Sequence, residues 1–127
     1  MPFDLDNLNP STRFDYNDEE WVELRICAGE DLDLIHKQTR KKVKEYKHGV
    51  RYVWEDINDD LEIELMNDFA ITNWHLVTPT GEDIPCTKED KNLMMRGSVE
   101  FASFVTSCLQ KLNEKFSLFQ EEQEKNL

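Results

Sequence analysis

The strongest periodic pattern in the sequence is an apolar stripe in its last third. Six apolar residues follow Ser98 at steps of three and four: Phe101, Val105, Cys108, Leu112, Phe116 and Phe119. This spacing keeps one side chain per turn on the same helical face, which is typical of an amphipathic α-helix packed on a core. Ser98 supplies a hydroxyl that can cap the first turn. We therefore predict a long last helix that carries much of the core.

Two earlier segments have the alternating pattern of short strands. Aromatic and β-branched residues between Phe14 and Ile26 flank the polar run 17–20, which predicts an antiparallel hairpin. The alternation returns between Lys41 and Trp54, around Gly49, a residue that tolerates the positive φ of a hairpin turn. A second hairpin is predicted there, with a helix over residues 37–47 as the alternative.

Helices are indicated between and after these strands by capping residues and by acidic first turns. Glu30 opens a short helix that ends near Arg40, and Asn58 caps a longer helix that we expect to run to about Trp74. Thr87 opens another short helix, on which we expect Leu93 to face inward together with the neighbouring methionine.

These elements predict an α+β fold, mostly helical, in which one or two short N-terminal antiparallel hairpins precede three to four helices in a single domain. We expect an extended arm over residues 1–11, the globular domain over residues 12–119 and a frayed tail over residues 120–127.

The charge of the chain is large and segregated. Fifteen Lys and Arg stand against 27 Asp and Glu, a net charge of −12, which argues against general nucleic-acid binding. Residues 37–51 nevertheless hold seven basic residues and one acidic residue, and residues 55–68 hold seven acidic residues and no basic one. The basic segment can neutralise the acidic segment of its own chain, meet that of another copy, or touch nucleic acid.

We predict self-association through the second of these contacts. The residues of this predicted contact are Lys37, Arg40, Lys41, Lys42, Lys44, Lys47, Arg51, Glu55, Asp59, Asp60, Glu62 and Glu64.

Residue patterns that carry chemistry are missing from the sequence. The three histidines lie far from each other and from any cysteine on the scale of metal-ligand spacing. The four glycines are dispersed, and the three cysteines have no close pairing, which fits reduced thiols. We therefore expect a protein that is not an enzyme, with no catalytic, cofactor-binding or metal-binding residues.

Several motifs follow one another in a familiar order. They are Trp21–Arg25 before a short helix, a Lys-rich connection, an acidic helix ending in Ile71–Trp74, the loop Gly81–Thr87, then Lys91, Leu93 and Met94, and finally Phe101–Val105. Over about residues 20–112 this order resembles the tail assembly chaperones of long-tailed bacteriophages and prophages.

The resemblance implies a non-catalytic role and a set of partners. Proteins of this kind coat the long helical tape measure protein, keep its apolar surface soluble and bring tail tube protein to it. They are mainly helical, form homo-oligomers in the host bacterial cytoplasm and are absent from the mature virion. The sequence has no apolar run long enough for a membrane span and no signal peptide at its start, which fits a cytoplasmic protein. A small acidic adaptor or regulatory phage protein that binds a host factor is the alternative.

A chaperone needs exposed apolar side chains to hold its client. The candidates for client binding are Trp54 and Trp74, which end their elements, and Phe104 and Leu118, which lie off the stripe of the last helix. A place in the core is the alternative for both tryptophans.

Overall fold

The computed structural model describes residues 5–125, with side chains described up to residue 115. Its elements in chain order are β1 (Thr12–Asp15), β2 (Trp21–Leu24), α1 (Gly29–Thr39), β3 (Arg40–Lys47), β4 (Val50–Ile57), α2 (Asp59–Ala70), β5 (Ile71–His75), α3 (Lys88–Gly97) and α4 (Val99–Lys125). The fold is α+β with strands first, as predicted. Helix accounts for 45% and strand for 28% of the chain, so "mostly helical" was too strong.

The chain forms two compact units. The first unit comprises Met1–Ile26 and Asn67–Leu127, and the second unit comprises Cys27–Met66. The predicted limits of an arm, a single domain and a tail stay a prediction.

The sheet of the first unit contains the first predicted hairpin. β1 and β2 are antiparallel, with Phe14 opposite Val22, and the backbone N–H groups of Tyr16 and Asn17 donate to the carbonyl oxygen of Glu20 at the turn. β5 pairs antiparallel with the other edge of β2, which gives the order β1-β2-β5. The first hairpin is therefore confirmed, and a third strand extends it.

That third strand corrects the prediction for α2. The helix ends at Ala70 rather than near Trp74, and the next five residues are β5. Ile71, Thr72 and Trp74 suit a strand better than a helix. The pairing register shifts between Glu23 and Leu24, so that Thr72 of β5 is an extra residue, and this irregularity lets both Ile71 and Trp74 lie in the core. Tertiary burial of these two side chains therefore overrides the helical pattern before them.

The core of the first unit lies between this sheet and α4. Its buried residues are Val22, Leu24, Ile71, Trp74, Leu76, Phe101, Val105 and Cys108. The predicted stripe is confirmed for its first three residues, and Leu112 packs partly buried against the same cluster. Ser98 Oγ accepts from the backbone N–H of Phe101 at 3.1 Å, as expected of a cap. Phe116 and Phe119 lie beyond the described side chains.

Helix α3 begins with the predicted cap. Thr87 Oγ1 accepts from the backbone N–H of Asp90 at 3.2 Å, and its hydroxyl donates to the Asp90 carboxylate at 2.8 Å. Met94 packs on the core as expected, but Leu93 is 67% exposed, so its predicted inward position is wrong. The buried face of α3 follows Lys91, Met94 and Met95, and Leu93 lies outside that face.

The second unit contains α1, the second hairpin and most of α2. α1 begins at Gly29 and buries Ile35 and Thr39. β3 and β4 pair antiparallel over their full lengths around His48 and Gly49, whose φ angles are 52° and 77°. Two positive φ values in succession are typical of a type I′ turn. The second hairpin is confirmed, and the helical alternative for residues 37–47 is wrong beyond Thr39, where β3 begins.

The turn between β1 and β2 is anchored by a carboxylate. Glu20 accepts a hydrogen bond from the Asn17 side chain at 2.7 Å and another from the backbone N–H of Val77 at 3.0 Å. Both bonds favour the ionised form, so they lower the pKa of Glu20.

We expect Glu20→Gln to weaken the acid sensitivity of the fold. Because the pKa of Glu20 is lower in the folded chain, its contribution is complete above the unfolded pKa of about 4.3 and is lost as the pH falls through the folded pKa. Urea unfolding at neutral and at acid pH should show a smaller loss of stability in this variant than in the wild type. The exposed neighbour Glu19→Gln is the control and should behave like the wild type. Equal losses in all three proteins would contradict the prediction.

Candidate functional site

The β3–β4 hairpin is the most exposed regular element of the described chain. All eight residues of β4 are exposed, and only Arg40 and Val43 of β3 are half-buried. Large apolar side chains are among the exposed residues, with Tyr52 at 50% and Trp54 at 43% exposure. Soluble proteins seldom expose such side chains together without a binding role. The hairpin is therefore the candidate functional site.

The register of the hairpin sorts its side chains onto two faces, because cross-strand partners lie on the same side of a sheet. One face, here called the aromatic face, carries Lys41, Val43, Glu45, Lys47, Val50, Tyr52, Trp54 and Asp56. The opposite face carries Arg40, Lys42, Lys44, Tyr46, Arg51, Val53, Glu55 and Ile57. Each face combines apolar residues with basic ones. The apolar residues can contact a partner, and the basic residues remain hydrated.

The base of the hairpin is held by polar contacts to Glu62. The Arg40 side chain donates from Nε to Glu62 Oε1 at 2.9 Å, and the Thr39 hydroxyl lies 3.2 Å from the same oxygen. His36 Nε2 lies 3.5 Å from that oxygen as well. The hydrogen bond from Arg40 is the main cause that lowers the pKa of Glu62. These contacts join α1, β3 and α2 at one point and set where the hairpin begins.

Some of the residues predicted to mediate self-association form ion pairs within one chain. Arg40 pairs with Glu62 and lies 4.0 Å from Glu55, and Lys47 lies 3.6 Å from Glu45. The contacts of Arg40 join the basic segment to the acidic segment of the same chain, the first of the three interpretations of the segregated charge, whereas the contact between Lys47 and Glu45 lies within the basic segment. In the described part of the chain, Lys41, Lys42 and Lys44 form no ion pair, and the predicted contact between copies stays a prediction.

The four candidates for client binding have different surroundings. Trp54 is exposed on the aromatic face. Trp74 is only 6% exposed, its indole N–H donates to the Ile84 carbonyl at 2.8 Å and its ring meets that of Phe101 edge-on. Trp74 is thus a core residue and offers no surface to a client, which is the alternative considered for it above.

The two remaining candidates lie on α4. Phe104 is half-buried, with its ring edge-on to that of Tyr16 at 5.0 Å. Leu118 belongs to the part of α4 whose side chains lie outside the description.

Sequence reasoning missed most of the exposed apolar residues of the hairpin. The alternating pattern predicts that Tyr46, Val50, Tyr52 and Val53 lie in strands, but it does not predict that their side chains are exposed. A usable signal was present: apolar residues occupy both alternating sets of β4, whereas a strand with one buried face carries them on one set. Such a pattern indicates either burial on both faces or a partner outside the chain.

Other parts of the described structure offer little chemistry. A cavity of about 440 Å³ between α3 and α4 is lined mainly by small residues such as Ala102 and Ser103. Burial raises the pKa of the Cys86 and Cys108 thiols, the reverse of what activates a cysteine. Among the described residues, no three His, Cys, Asp or Glu side chains are grouped as metal ligands.

None of the helices in the described range combines the length and the apolar character needed to cross a bilayer. Comparison with models of protein families, with curated proteins and with solved structures finds no match.

Proposed function

We propose that this protein is a non-catalytic tail assembly chaperone that binds the tape measure protein, keeps it soluble and brings tail tube subunits to it. The observation that carries the proposal is the β3–β4 hairpin, which exposes apolar side chains on both faces. The second support is the order of sequence motifs, which resembles that of such chaperones. Under it, the protein acts as a homo-oligomer in the bacterial cytoplasm and leaves before the virion is complete.

The aromatic face suits a helical client. Trp54 and Tyr52 lie two residues apart on β4, and Val43 is the cross-strand partner of Trp54. Together they form a strip that an amphipathic helix can cover with its apolar side chains at i, i+3, i+4 and i+7. Aromatic anchors of this kind dominate binding energies because they bury much area with few rotatable bonds.

The charged residues around the strip complement that role. Lys41 and Lys47 flank the apolar residues on the same face and keep the hairpin hydrated when no client is bound. The net charge of −12 on this chain favours its hydration and solubility. An exposed apolar strip on a strongly charged protein can bind a client of low solubility while the charged residues keep the complex hydrated.

We expect Trp54→Ala to weaken client binding at least tenfold, because loss of a central aromatic anchor costs about 2 kcal/mol or more. Binding can be measured by calorimetry with an amphipathic segment of the tape measure protein, and by the soluble fraction of that protein when the two are co-expressed.

The matched control is Tyr46→Ala, which removes an exposed aromatic side chain from the opposite face of the same hairpin. This variant should bind within a factor of about three of the wild type, because Tyr46 points away from a client bound on the aromatic face. Unchanged affinity in Trp54→Ala would contradict the proposed surface. Binding that depends on salt but not on Trp54 would favour the acidic adaptor instead.

A further inference from the structure

We infer that two copies of this chain pair through the outer edges of their β4 strands, forming a four-stranded sheet in the order β3-β4-β4-β3. The inference does not rest on the proposed function. It starts from the two-stranded sheet, in which β4 has β3 on one side only and is exposed along its whole length. Isolated two-stranded sheets are marginal, and an open edge is a template for another strand.

The turn determines which backbone groups point outward. A two-residue turn closes with a hydrogen bond between the residues that flank it, here Lys47 and Val50. Hydrogen-bonded and non-hydrogen-bonded pairs alternate from that point along an antiparallel ladder. Val50, Tyr52, Trp54 and Asp56 therefore direct their N–H and C=O groups at β3. The odd-numbered residues of β4, Arg51, Val53, Glu55 and Ile57, direct theirs at the open edge.

Charge selects β4 over β3 as the joining edge. β3 has five basic residues and one acidic residue, so two β3 strands side by side would repel each other. β4 has one basic residue and two acidic ones, and these lie on opposite sides of its centre. Two-fold pairing of identical strands is antiparallel, which brings the basic end of one β4 to the acidic end of the other.

The register follows from these restrictions. Outward-directed residues must face each other, so the odd-numbered residues of one copy lie opposite odd-numbered residues of the second copy. With Val53 on the two-fold axis, Arg51 of each copy faces Glu55 of the other, and Tyr52 faces Trp54. Shifting the axis to Trp54 sets Val53 opposite Glu55, and shifting it to Glu55 sets two carboxylates face to face. Of these three registers, only the one centred on Val53 satisfies both charge and apolar contact.

This pairing has two consequences for the surface. Tyr52 and Trp54 of both copies become neighbours on one side of the joint sheet and form a cluster of four aromatic rings, two on each β4 strand. The outer edges of the four-stranded sheet are both β3, whose lysines oppose the addition of another strand. Pairing through strand edges therefore ends at four strands.

The test compares two proline substitutions by size-exclusion chromatography with light scattering. Val53→Pro removes an N–H that points at the open edge of β4, and its cross-strand partner Lys44→Pro removes one that points at the open edge of β3. Neither variant loses a bond between β3 and β4, so circular dichroism should match the wild type. We expect the wild type and Lys44→Pro to be dimers and Val53→Pro to be a monomer. A monomeric wild type, or equal masses in the two variants, would overturn the inference.

A second experiment distinguishes pairing through β4 from the predicted contact between the basic segment of one copy and the acidic segment of another. Arg51→Glu should weaken the dimer at least tenfold, because it sets a carboxylate opposite Glu55 of the second copy. The wild-type dimer should persist in about 1 M salt, where the Debye length falls to about 3 Å. A dimer that dissociates in salt and is unaffected by Val53→Pro would place the interface between the basic and acidic segments, and would overturn pairing through β4.

Discussion

Replacing Phe101 by alanine is expected to lower the free energy of unfolding by about 3–5 kcal/mol, the largest effect of any substitution considered. Phe101 is buried, and its ring meets that of Trp74 edge-on with the centroids 5.8 Å apart. The change removes apolar contact, leaves a cavity and ends the aromatic pair. The loss in free energy of unfolding can be measured by urea unfolding, with circular dichroism as the signal. Because small domains have only about 5–15 kcal/mol in total, the variant should be partly unfolded well below the wild-type midpoint.

The control for this substitution is on the same helix. Lys111 is exposed on α4, and Lys111→Ala should change the stability by no more than about 0.5 kcal/mol. Equal and small effects of the two substitutions would mean that α4 does not carry the core of the first unit.

The second large effect is expected at a buried lysine. Lys91 is only 8% exposed, and its Nζ donates to the backbone carbonyl and to a carboxylate oxygen of Asp68, each at 3.1 Å. Asp68→Ala should cost about 1.5–3 kcal/mol, because it leaves the ammonium group buried with only the carbonyl as a partner.

Lys91→Met provides the matched comparison. Methionine keeps the apolar stem and removes the buried charge, and the Asp68 carboxylate is exposed enough to be hydrated by water. This variant should therefore lose less stability than Asp68→Ala, although it removes the same ion pair. Thermal unfolding of both variants measures the difference. The opposite ranking would show that the ion pair itself, rather than an unpartnered charge, governs the stability here.

Local patterns in the sequence predicted most of the elements. The stripe that begins at Phe101 identified α4, the cap at Thr87 identified the start of α3, and Gly49 identified the turn of the second hairpin. Each is a short-range signal that depends on the geometry of one helix or one turn, so it can be recognised without knowledge of the rest of the chain.

The sequence predictions are wrong where residues distant in the chain determine the local structure. The apolar pattern of α2 continues into Ile71 and Trp74, but β2 offers hydrogen bonds and a buried position, and the chain becomes β5 instead. Leu93 was expected to face inward, but α3 buries Lys91, whose charge is compensated by Asp68. β2 is distant in the sequence from Ile71 and Trp74, and Asp68 lies 23 residues before Lys91, so a local pattern could not include these partners.

The candidate site shows the same division. The sequence by itself predicted a hairpin between Lys41 and Trp54 with a turn at Gly49 and a basic first strand, because alternation, glycine and charge are local properties. It left a helix over residues 37–47 as the alternative, which the pairing of β3 with β4 then ruled out beyond Thr39. Only the tertiary structure decided that Trp74 is buried while Trp54 is exposed, because burial depends on which elements pack against a strand. β5 lies beside β2 and under α4, whereas β4 pairs only with β3 in the described chain, and that difference in packing leaves the side chains of the hairpin exposed.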